Sequence, residues 1–169
     1  MERVRFVKWI IYIIIFILIM VFQFTPNFIP YIFGVRPLLL VPAVVCIAVF
    51  EGDGIGAAYG VAAGLLWDFQ SSRIFGFDCL FLMLFGLAAG LLIKHLFRST
   101  VVFVLLFTFA ATILLETLTW FFFYNLFGDN NAGFAFLKII LPTVIYSLIF
   151  SLPIYIIFKK MHGILKTDD

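Results

Sequence analysis

An all-α integral membrane protein is the fold class that this sequence predicts, and three observations predict it. Of 169 residues, 65% are hydrophobic, 20% aromatic and only 12% charged, too few polar side chains to clothe a soluble globule of this size. The apolar residues fall into six runs that use nearly all of the chain, so one domain is expected and no separate soluble module fits. The basic residues gather at alternate run ends. With a cytoplasmic N-terminus, Arg3, Arg5, Lys8, Lys94, Arg98, Lys159, Lys160 and Lys166 fall inside, and only Arg36, Arg73 and Lys138 fall outside. A net charge of +2 distributed in this way describes helix-end anchors and excludes a nucleic-acid surface.

The spacing predicts spans over residues 7–24, 37–50, 55–69, 76–97, 101–126 and 136–158 of a single transmembrane domain, 1–169. The first is bulky on every face, with Trp9 and Tyr12 near the inner interface, and suits a lipid-facing position. It reaches spanning length, and after Met1 no Ala, Gly or Ser precedes Gly34, so a cleaved signal is not expected. Pro26, Pro30 and Gly34 mark an irregular outer segment before the second span opens at Arg36-Pro37. Glu51-Gly-Asp-Gly54 reads as a tight turn, with Gly52 and Gly54 supplying positive φ. Residues 70–76 and 128–133 read as outer loops, and Pro142 and Pro153 as kinks in the last span.

The third span carries Gly56, Gly60 and Gly64. Glycine at every fourth position puts all three on one helix face, where another backbone can approach closely. Gly60-Val-Ala-Ala-Gly-Leu-Leu66 returns as Gly86-Leu-Ala-Ala-Gly-Leu-Leu92, which places Gly86 and Gly90 on a second helix of the same character, antiparallel to the first. These five glycines are the expected helix-packing and partner face.

Polar residues in apolar company give the other candidates. Arg36 lies 15 residues before Glu51 and Asp68 lies 14 after Gly54, so both stand about 21–23 Å from the turn, at one depth. An outer polar cluster of Arg36 with Asp68, joined by Arg73 and Asp78, is therefore expected, in which pairing offsets desolvation; the alternative is that each charge reaches the headgroups separately. Glu116 falls deep in the fifth span as a buried carboxyl. It is either an ion or proton site or a protonated structural group bonded to Thr112, Tyr146 or a backbone carbonyl. Cys46 and Cys79 sit among apolar residues and indicate neither a disulfide nor a thiolate site, while His95 and His162 lack neighbouring ligands at metal spacing. No nucleophile elbow, zinc-protease helix or phosphate loop is present, so neither catalytic residue nor cofactor is expected.

Taken in order, Gln23-x-x-Pro26, Arg36-Pro37 and Gly60-x-x-x-Gly64-Leu-Leu-x-Asp68, with Gly76 eight residues on, resemble the MreD family of bacterial rod-shape-determining membrane proteins. The resemblance covers the whole chain. It implies a six-helix fold similar in architecture to the substrate-binding component of energy-coupling-factor transporters. It also implies a non-enzymatic scaffold of the cell-elongation machinery in the cytoplasmic membrane, binding an MreC-type protein. Through that partner it would serve the elongation transpeptidase and glycosyltransferase of lateral peptidoglycan synthesis, and indirectly the MreB filament system. The competing expectation is a vitamin-type transporter component with a ligand near Asp68, Arg73 and Asp78. The small-residue docking face that such components carry on their first helix has no counterpart here.

Overall fold

The computed structural model describes residues 2–25, 35–70, 75–95, 101–122 and 140–165, without the side chains of 2–7 and 165. Among these residues the chain forms six helices: α1 (Glu2–Phe24), α2 (Leu40–Glu51), α3 (Asp53–Gln70), α4 (Phe77–His95), α5 (Val101–Trp120) and α6 (Leu141–Leu165). Three of them, over Phe77–His95, Val101–Trp120 and Leu141–Ile164, are long and apolar enough to cross a membrane; Lys8–Phe24 and Leu40–Glu51 are shorter apolar stretches. The expected outer segment 26–34 and the loop 128–133 lie outside the described residues.

The centre of the molecule is α2. Its 12 residues rise only about 18 Å. Every side chain from Leu40 to Val49 is buried, against α1, α3, α4, α5 and α6. Its composition explains how five helices fit around it. Ala43, Ala48 and four valines give a slim helix with no polar stripe, so neighbours close in from every direction. Apolar side chains gain little from leaving lipid, so dispersion in these close contacts and a few polar joints hold the bundle.

A single residue separates α2 from α3. Gly52 takes φ +99°, a left-handed conformation that ends a helix without a Cβ penalty, and its N–H is bonded to the Ala48 carbonyl. The expected second positive φ at Gly54 is absent, because α3 already starts at Asp53 and Gly54 is helical. The other positive φ among the described glycines is at Gly76, +95°, immediately before α4.

Around α2 the outer helices present bulky apolar residues outward: Ile13, Ile17 and Val21 on α1, Leu106 on α5, and Ile149 and Ile156 on α6 are each about half exposed or more. Inward, α1 offers one stripe, Tyr12, Phe16, Ile19 and Gln23. Between α5 and α6 the packed faces are rich in hydroxyls, including Thr108, Thr112, Thr143, Ser147 and Ser151, all buried. Thr112 and Ser147 each donate to the carbonyl one turn back, Thr108 and Thr143 respectively, both at 2.7 Å. Pro153 lies inside α6, where it removes a donor to the preceding turn.

Candidate functional site

The glycine face is filled from within the chain. A Cβ built on Gly60 would stand 2.3 Å from the Leu82 carbonyl oxygen, and one on Gly64 would stand 2.2 Å from the Cys79 Cα. Gly56 and Gly86 oppose each other backbone to backbone, and Gly90 meets Asp53. Gly60, Gly64, Gly86 and Gly90 therefore serve the antiparallel α3–α4 contact, Gly56 serves both that contact and the one with Ala48 of α2, and the face expected to be offered to a partner is taken up by the protein's own helices. Backbone atoms stand in the way of any added side chain at these positions, so they have no flexible neighbour to displace.

This close approach builds the first polar joint. Gly64 lets the first turn of α4 come up against α3, and one turn later Asp68 reaches its backbone. The carboxylate accepts hydrogen bonds from the N–H groups of Gly76 (3.0 Å), Asp78 (3.1 Å) and Cys79 (3.1 Å). Those donors are left over at a helix start, where the dipole also favours a negative charge, so Asp68 caps α4 from the end of the preceding helix. Asp68 and Asp78 are both buried, at 3% and 1% exposure. Of the expected outer cluster, the structure thus brings Asp68 to the backbone of Asp78. Arg36 is half-buried in the non-helical stretch before α2, and Arg73 lies outside the described residues.

Glu116 is half-buried and not enclosed as the sequence suggested. The α-helix is described to Trp120 and passes into a π turn over 121–122, where the described residues of this segment stop; Glu116 lies beside the buried stripe of Thr112, Leu115 and Thr119. The Thr112 hydroxyl that was a candidate partner donates to Thr108.

An ionic site that local sequence did not reveal lies at the C-terminal end of α2. Glu51, the last residue of α2, has a side chain only 5% exposed; Lys8 Nζ lies 2.8 Å from one oxygen and His162 Nδ1 lies 3.3 Å from the other. A carboxylate at a helix C-terminus opposes the local dipole; the Lys8 ammonium of α1 compensates it, with the His162 ring of α6 on its other oxygen. The fully buried Tyr12 hydroxyl lies beside this carboxylate without a well-aligned hydrogen bond, and Phe50 stacks at 5.3 Å on the His162 ring. Glu51 sits in a turn-like Glu-Gly-Asp-Gly string, and its partners are 43 and 111 residues away in sequence, so no local signal pointed to it.

The opposite end of α2 is held by the same two helices. Leu39 N–H donates to Gln23 Oε1 of α1 (2.7 Å), and Leu38 N–H donates to Ser147 Oγ of α6 (2.8 Å). Leu39, the N-cap, has no side-chain acceptor of its own, so its neighbours supply the capping groups. Pro42 in the first turn removes one further donor that would need a partner. The order of residues in the motif explains its chemistry: Gln23 closes α1 at the height where α2 begins.

Among the described residues no three His, Cys, Asp or Glu side chains gather as a metal site. The model of one protein family, "MreD: rod shape-determining protein MreD", matches residues 3–163. Comparisons with curated proteins and with solved structures give no match.

Proposed function

The chain belongs to the MreD family of rod shape-determining proteins, and from that premise we propose that it is a non-enzymatic membrane scaffold of the cell-elongation machinery, holding an MreC-type partner. Its role in rod shape follows from the family; the scaffold role is our reading. The single observation that supports it is how the polar side chains are used. Asp68, Glu51, Lys8, His162, Gln23 and Ser147 each join one helix to another, as in a protein built to hold a shape.

The six helices cross the cytoplasmic membrane with both termini inside. Lys8, Lys159 and Lys160 share the end of the bundle at which Glu51 meets α1 and α6, and Lys94 lies one turn beyond the Gly90–Asp53 contact of that same end. Facing this end to the cytoplasm obeys the positive-inside rule. The glycine face being filled, the partner reads the opposite edge, where Asp68 fixes the start of α4. The transpeptidase and glycosyltransferase of lateral wall synthesis, and the MreB filaments, are reached through that partner.

Purification of the untagged native complex from a rod-shaped bacterium, with mass spectrometry of bound proteins and small molecules, tests this reading. An MreC-type protein is expected in near-stoichiometric amount. A retained vitamin-like molecule with no such protein would replace the scaffold with a transporter component.

A further inference from the structure

The joints that hold α1 differ in kind at its two ends, and we infer that α1 is a hinged strap: it releases from α2 and α6 at the Lys8 end and pivots about Gln23. At the Gln23 end the joint is dry. Gln23 is 8% exposed and accepts from a buried backbone N–H that has no acceptor on its own residue, while Phe24 packs edge-on against Trp67 of α3 at 6.2 Å. Pulling this end away strands a backbone donor in apolar surroundings, which is heavily penalised.

At the Lys8 end the joint meets water. The Lys8 and His162 side chains are 24% and 26% exposed although Glu51 between them is 5% exposed. When the strap lifts, all three groups gain hydration, which offsets most of the Coulomb attraction lost; a buried ion pair is nearly balanced in this way before it opens. Between the two ends α1 offers only apolar and aromatic side chains to its neighbours, with Tyr12 against Phe158 of α6 at 5.6 Å, Phe16 against Tyr59 of α3 at 5.0 Å, and Ile19 buried beside them. Such contacts slide and separate without stranding a polar group. Nor does α1 have the small residues that lock α3 to α4: among residues 8–24 there is no Gly, Ala or Ser. Opening therefore bares the C-terminal end of α2 and the Glu51 carboxylate on the basic side of the bundle.

Spin-label distances test the inference in full-length protein in lipid nanodiscs, with Cys46→Ala and Cys79→Ser removing the native thiols. One label pair, on the exposed positions Ile10 and Ile157, reports the Lys8 end; a second, on the exposed positions Val21 and Leu141, reports the Gln23 end. Glu51→Gln is expected to lengthen and broaden the first distance by about 5 Å, roughly one helical pitch, and to leave the second unchanged. The double variant Lys8→Gln with His162→Gln, which keeps Glu51, is expected to do the same. Both distances unchanged, or both lengthened together, overturns the hinge. Failure of both variants to fold also overturns it, since the joint would then be a requirement of the fold and not a releasable contact.

Discussion

Two buried carboxylates anchor opposite ends of this bundle by different physics. Asp68 is held by three backbone N–H groups at the start of the very next helix, one from Gly76 just before it and two from its first turn, all within 11 residues. Glu51 is held by two side chains from the first and last helices. Backbone donors cannot turn away to water, and three of them sharing one carboxylate make a rigid joint. Lysine and histidine side chains at the water's edge can turn away, so the second joint holds while remaining cheap to open. The glycine-rich α3 serves the rigid joint: Gly64 sets the approach that Asp68 then fixes.

The largest effect is expected where the rigid joint loses its clearance. Gly64→Val places side-chain atoms into the α4 backbone, and loss of folded protein in detergent, read by size-exclusion recovery, is the expected outcome. Asp68→Ala leaves the α4 start without its acceptor and should cost about 3 kcal/mol, as two or more charge-assisted hydrogen bonds are lost; Asp68→Asn, which keeps one acceptor oxygen, should cost about half of that. Unfolding midpoints checked by denaturant titration would show both. Lys8→Met ranks next, at about 2 kcal/mol, because it leaves the nearly enclosed Glu51 carboxylate with one weaker neighbour. Glu51→Gln should cost least, about 1 kcal/mol, since Lys8 and His162 are free to turn to water. A Glu51→Gln loss larger than that of Asp68→Ala would reverse the comparison. A Lys8→Met, Glu51→Gln double variant more stable than Lys8→Met alone would sharpen it, by showing the cost to be the stranded charge.

Sequence made the rigid joint legible and hid the other. Glycines at every fourth position reveal a shared helix face without any knowledge of the partner, and the repeated Gly-x-Ala-Ala-Gly-Leu-Leu string identified the partner as α4. Asp68 stood out as a charge level with Arg36 at the outer edge. Its role as a cap was not evident, because the donors are backbone groups that sequence does not distinguish. Glu51 looked like part of a turn, and nothing within 40 residues carries its compensating charge. The central position of α2 was equally hidden, since a helix apolar on every side suits either lipid or core and its sequence cannot choose. Glu116 is half-buried where enclosure was expected, because its place in an apolar run fixes its height along the helix and not which face it occupies.

The bracketing of α2 by α1 and α6 also orders events during synthesis. The chain makes α2 second and α6 last, so the Leu38 N–H and the Glu51 carboxylate exist for some 110 residues of elongation before Ser147 and His162 emerge to meet them. Until then the most enclosed of the described helices is held at each end by α1 alone, through Gln23 and Lys8. A nascent chain stopped short of α6 is therefore a half-assembled bundle with polar groups exposed to lipid, a state that membrane quality control can distinguish from the completed protein.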